Sequence, residues 1–103
     1  MMIRTLRAMG KRLVERRLRQ INGRLRRLRD ELGVIDEQLM HLADDADDTR
    51  IRSLVSETSG AGHEFRQAQA HADAMAAHRA HVARSIEDLE TRQDELLDAL
   101  TKR

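Results

Sequence analysis

The chain has 103 residues, of which 36% are charged, a formal net charge of +1, one aromatic residue and neither cysteine nor proline. The lack of cysteine excludes disulfides, thiol catalysis and zinc sites of the cysteine type. One aromatic residue leaves too little bulk for a thick core, so we expect narrow aliphatic contacts between helices, which no proline interrupts.

The same sequence predicts a soluble cytoplasmic protein. No apolar run approaches the ~18 residues of a transmembrane helix, and the first residues lack the apolar core of a signal peptide. Seventeen of the nineteen basic residues are arginine. A GC-rich bacterial genome explains that bias at least as well as RNA binding does.

Residues 1–14 predict a basic amphipathic helix, because the apolar positions 3, 6, 9 and 13 share one face beside basic side chains. Packing against a protein is the main interpretation. Nucleic acid and an anionic membrane surface are alternatives, weakened by the lack of aromatic side chains for base stacking or interfacial anchoring. The candidates for binding an anionic partner are Arg4, Arg7, Lys11, Arg12, Arg16, Arg17 and Arg19.

Apolar residues between Ile21 and Leu42 alternate at steps of four and three residues, the pattern of a coiled coil. This first seam continues less regularly upstream through Val14 and Leu18. A second seam with the same steps is predicted from Ile51 through Leu54 to Leu100. The residues expected to form the interaction seam are Leu25, Leu28, Leu32, Ile35, Leu39, Val82, Ile86, Leu89 and Leu96.

Residues 56–62 are the one cluster of small and helix-breaking residues, and they predict a turn at 58–62. Gly60 or Gly62 would adopt a positive φ, and Thr58 or Ser59 would cap the second helix. The aspartate-rich segment 43–49 competes as a turn, and a kink there stays open.

Charge favours the turn at 58–62. Residues 1–29 carry a net charge of +10, whereas residues 30–48 carry eight acids and neither lysine nor arginine. A turn near 59 places basic 16–29 opposite acidic residues of the second helix, which are Glu87, Asp88, Glu90, Asp94, Glu95 and Asp98. It also places acidic 36–48 opposite His71, His78, Arg79, His81 and Arg84. Both blocks match in antiparallel order.

We therefore predict an all-α, antiparallel coiled-coil hairpin that forms a single domain over residues 1–103. Its long helix runs over about 3–57 and its second helix over about 62–102, with residues 1–14 as a basic N-terminal overhang.

His78 and His81 are candidate metal ligands, because their spacing places both imidazoles on one helix face. His41, with Asp44 or Asp45, would approach from the other helix. No HExxH motif and no repeated Glu-x-x-His pair accompanies them, so ordinary solvated helices are the main interpretation. We predict no metal and no cofactor.

No nucleophile elbow, phosphate loop or dinucleotide fingerprint occurs, and a two-helix hairpin offers no closed pocket. The prediction is a non-enzymatic coiled-coil interaction or adaptor protein without a small-molecule substrate. An isolated hairpin buries one stripe per helix, so we expect a homodimer, a multi-helix bundle or docking on a partner helix. Gly23 and Gly33 lie at outward positions, where they either permit close packing of another chain or are merely tolerated. The alternative function is binding of nucleic acid, or of an anionic membrane surface, through the arginine-rich N-terminal helix.

Overall fold

A computed structural model describes residues 10–101, which form two long helices. Helix α1 spans Lys11–Ser56 and helix α2 spans Ser59–Thr101, and residues 10–101 contain no strand. The absence of proline from both segments permits this length. The helices form two compact units: unit 1 contains residues 10–30 and 83–101, and unit 2 contains residues 31–82.

Unit 1 has a small apolar core. Val14, Leu18 and Leu96 are buried together, with Ile21, Ala99 and Leu100 packed against them. Two polar contacts show the direction of pairing. Gln93 Nε2 donates to Asn22 Oδ1 at 2.7 Å, and Arg29 Nη2 donates to Glu90 Oε2 at 3.2 Å. Residue numbers rise along α1 as they fall along α2, so the helices are antiparallel here.

Unit 2 is also an antiparallel helix pair. Its buried residues are Ile35, Ala46, Thr49, Ala72 and Val82. Asp36 on α1 pairs with Arg79 on α2, and further along α1 Arg52 lies 3.8 Å from Glu64. The pairing in each unit confirms the predicted all-α antiparallel hairpin.

The inward stripe of α1 is longer and more regular than predicted. After Leu42 it continues in phase at Ala46, Thr49 and Ser53, which are buried or half-buried. The assignment of Ile51 and Leu54 to a seam is wrong, because their exposed fractions are 54% and 66%. Small residues fill the inward positions there, and their apolar signal is too weak to stand out in the sequence.

The aspartate-rich segment 43–49 is α-helical throughout, so it is not a turn. Its buried polar residue, Thr49, donates its hydroxyl to the carbonyl oxygens of Asp45 at 2.8 Å and Ala46 at 3.0 Å. The four aspartates of this segment are exposed. Upstream, Val14 and Leu18 also keep the four-and-three spacing with Ile21, so the predicted loss of regularity is absent from residues 14–21.

The turn is shorter than predicted and uses no glycine with positive φ. Glu57 adopts a φ of 50°, and its N–H donates to the Ser53 carbonyl at 3.2 Å. Thr58 caps α2, because its hydroxyl oxygen accepts the N–H of Ala61 at 3.1 Å. The predicted cap at Thr58 is confirmed. The positive φ predicted for Gly60 or Gly62 is wrong, since both lie inside α2.

Candidate functional site

The nine residues predicted for the interaction seam all have reduced exposure. Leu25, Ile35, Val82, Ile86 and Leu96 are buried. Leu28, Leu32, Leu39 and Leu89 are half-buried. Leu25 is the most completely buried, at 1% exposed. These side chains hold the hairpin together, so a surface for another molecule has to be sought on the outward sides of the helices.

Within residues 10–101, Arg29 of the basic block forms a cross-helix ion pair with Glu90. Both side chains are about half exposed, at 54% and 48%, so solvent screens their attraction. Glu95 was expected to face the basic block, yet its Oε2 is buried without a hydrogen-bond partner in the described part of the chain.

In unit 2, the predicted contact between acidic residues of α1 and basic residues of α2 includes the ion pair of Asp36 with Arg79. The hydrogen bond to Asp36, and then the charge of that carboxylate, raise the pKa of the Arg79 guanidinium above its ordinary value. His78 Nε2 lies 3.5 Å from Glu31 Oε1. Its carboxylate neighbour is therefore Glu31, which precedes the predicted acidic partners at 36–48. Among residues 10–101, no three histidine, aspartate or glutamate side chains gather as a metal site would require, so His41, His78 and His81 are not brought together with carboxylates in that way.

The outward side of α1 in unit 1 carries a basic stripe, defined by Arg12, Arg16, Arg19, Gly23 and Arg26. The steps of four and three residues keep these positions on one face, opposite the buried ones. The four arginines are exposed, and none of them has an ion pair within 4 Å among residues 10–101. A Cβ built at Gly23 would make an ordinary contact with Arg27 Nη1, at 3.7 Å, so the end of the Arg27 side chain borders this position.

The outward side of α1 in unit 2 carries an acidic stripe, defined by Glu37, Met40, Asp44, Asp47 and Ile51. The same spacing places these positions opposite the buried ones of that unit. The three carboxylates are exposed and have no ion pair within the described chain. Met40 is 63% exposed and Ile51 54% exposed.

Exposed apolar side chains are concentrated on α1. Of the seven large apolar residues that are exposed in the described chain, six lie on α1, namely Leu13, Val34, Met40, Ile51, Leu54 and Val55. All six occupy positions away from the buried stripe. Leu54 and Val55 follow Ile51 by three and four residues, so both adjoin Ile51 near the end of the helix. Sequence reasoning missed this surface because it assigned Ile51 and Leu54 to a seam.

The predicted anion-binding residues are described only in part. Arg4 and Arg7 lie outside the described residues, as does most of the predicted overhang 1–14, on which the membrane-surface interpretation rests. Val14, at the end of that segment, is buried beside Leu96. Lys11, Arg12, Arg16, Arg17 and Arg19 are all exposed. Further along unit 1, Arg26 and Arg29 line an open groove with Asn22 and Gln93.

Comparison with known proteins does not assign this chain to a family. No protein-family model, no curated protein and no solved structure matches this chain. Neither α1 nor α2 contains an apolar stretch long enough to cross a lipid bilayer. The outward side of α1 therefore has to be interpreted from its own chemistry.

Proposed function

We propose that the protein is a non-enzymatic helical interaction module that binds a partner helix through the outward side of α1. The observation that carries this proposal is the concentration of six exposed large apolar residues on that one helix. Exposed apolar groups that lie together favour a protein partner, whereas singly scattered ones need no explanation. Ile51, Leu54 and Val55 occupy positions i, i+3 and i+4, a spacing that the anchors of helix–helix recognition use.

The unpaired charges of α1 support the same proposal. Carboxylates and guanidinium groups in separate stripes give a partner helix orientation and register more than affinity, as flanking charges do in coiled coils. The adaptor role and the cytoplasmic location remain predictions from the sequence.

Site-specific photocrosslinking in cells that express the protein tests the proposal. A benzophenone amino acid is placed at Met40 or at Leu54, and at Ala77, an exposed residue of α2 in unit 2, as the matched control. We expect discrete protein adducts at Met40 and Leu54 that greatly exceed those at Ala77. Equal yields at the three positions, or no adduct at either α1 position, would contradict the proposal.

A second candidate is nucleic-acid binding, favoured by the arginines of unit 1. Arg16, Arg17 and Arg19 are exposed without a carboxylate within 4 Å in residues 10–101. Three phosphate contacts would weaken binding roughly 40-fold between 50 and 200 mM salt, through counterion release.

Fluorescence anisotropy with a labelled 20-nucleotide RNA and the matching duplex DNA measures this salt dependence. The triple substitution of Arg16, Arg17 and Arg19 by glutamine should abolish most of the slope, while Arg92→Gln on α2 should leave it unchanged. Absence of binding at 50 mM salt would exclude this candidate.

A further inference from the structure

We infer that the partner helix is α1 of a second copy of this chain, bound antiparallel, with the basic stripe of one copy against the acidic stripe of the other. This inference rests on the proposed function, because it names the partner of the same surface. Each contact joins unit 1 of one copy to unit 2 of the other. Every copy carries both stripes, so each copy can supply either side of this contact.

The order of the basic and acidic stripes along α1 favours antiparallel pairing of the two copies. With Arg19 opposite Asp44 in antiparallel order, the shared spacing brings Arg16 opposite Asp47. It also brings Arg26 opposite Glu37. All three guanidinium groups then meet carboxylates that have no ion pair within the described residues. A parallel, in-register pair would place arginine against arginine, which like-charge repulsion disfavours.

The remaining stripe positions fit the same register by shape. Met40 falls opposite Gly23, which has no side chain and is bordered by the flexible end of Arg27, so a long, flexible side chain can approach the backbone there. Ile51 falls opposite Arg12, whose methylene stem can cover an apolar side chain while its charged end stays in water. Both apolar side chains of the acidic stripe are thereby covered.

A shift by one heptad is the competing register. It keeps three opposite-charge pairs, with Arg19 opposite Glu37, Arg12 opposite Asp44, and Arg26 opposite Asp30, which lies outside the acidic stripe. However, it places Met40 against Arg16 and leaves Asp47 and Ile51 opposite no residue of the basic stripe. The first register uses every position of both stripes, so the structure favours it.

Sedimentation velocity of the full-length chain tests the inference. We expect a dimer at 50 mM salt that dissociates at 500 mM, because exposed ion pairs are screened. Arg19→Glu replaces the attractive pair with Asp44 by a repulsive one, which should raise the dissociation constant roughly threefold or more. Arg92→Glu, the same change at an exposed site of α2, is the matched control and should have little effect.

Charge exchange then tests the register. The double variant R19E/D44R should restore the dimer, whereas R19E/E37R should not. If R19E/E37R restores the dimer and R19E/D44R does not, the proposed register is wrong and the shifted one is correct. A monomeric wild-type chain at 50 mM salt and high protein concentration would overturn the inference altogether. If the chain is monomeric yet crosslinks to another protein at Met40, the proposed function stands and only the second copy is excluded. Circular dichroism at 222 nm confirms that each variant is folded.

Discussion

Leu25→Ala tests which residues hold the hairpin together. Leu25 is 1% exposed and is one of the two largest fully buried side chains of the described residues. Leucine-to-alanine substitutions in protein cores cost about 2–5 kcal/mol, depending on how well the surroundings collapse into the cavity. The neighbouring Leu28 is only half-buried, so the seam can close partly around the gap. We therefore expect a loss of about 2–3 kcal/mol, at the low end of that range.

The assay is urea and thermal unfolding followed by circular dichroism at 222 nm. A loss of this size should lower the melting temperature by about 10–20 °C in a domain of roughly 100 residues. Leu54→Ala is the matched control, because it makes the same chemical change on the same helix at a residue that is 66% exposed. It should alter stability by less than about 0.5 kcal/mol. Equal destabilisation by the two substitutions would refute the assignment of inward and outward sides.

Two further predictions concern the turn, both measured by the same unfolding assay. Thr58→Ala removes the oxygen that accepts the Ala61 N–H, and it should cost about 1 kcal/mol, whereas Ser56→Ala, which removes a neighbouring hydroxyl without a cap bond, should cost less. An equal effect of the two would show that Thr58 is not the cap. Glu57→Gly should raise stability by about 1 kcal/mol, since glycine adopts a φ near 50° without the Cβ clash of other residues. A lower melting temperature for that variant would contradict the turn geometry.

The sequence predicts much of the fold because large apolar residues and charges repeat along it. Leu25 and Ile35 on α1, with Val82 and Leu96 on α2, are buried as their spacing indicates. The charge order excludes a turn at the aspartate-rich segment, which is helical throughout. These features depend on periodicity, which an amino-acid sequence displays directly.

Features that depend on small residues or on backbone conformation were harder to predict. Ala46, Thr49 and Ser53 continue the inward stripe, yet alanine, threonine and serine give little apolar contrast. Glutamate rarely adopts a positive φ, so composition favoured Gly60 over Glu57. A search for the four-and-three spacing that accepted small residues would have found the stripe and left Ile51 outside it.

The surface of α1 could be predicted only in outline. The outward positions of Gly23 and Gly33 follow from the spacing, and a Cβ at Gly33 would meet nothing within 4 Å. Which charges pair within the hairpin depends on side-chain conformation, and of the basic block only Arg29 reaches a carboxylate within 4 Å among residues 10–101. The arginines and carboxylates of the two α1 stripes are exposed side chains that form no ion pair among residues 10–101.

Disulfide trapping between two single-cysteine variants tests most directly whether α1 binds a second copy in the proposed register. The chain contains no cysteine, so Gly23→Cys and Met40→Cys can be introduced singly, and a Cβ at Gly23 meets only an ordinary contact. In the proposed dimer residue 23 of one copy faces residue 40 of the other, and like positions do not face one another. Oxidation of an equimolar mixture of Gly23→Cys and Met40→Cys should therefore give the mixed disulfide almost exclusively. A mixture of Gly23→Cys with Ile51→Cys should show no such preference for the mixed disulfide. A statistical distribution of disulfides in both mixtures would contradict the account.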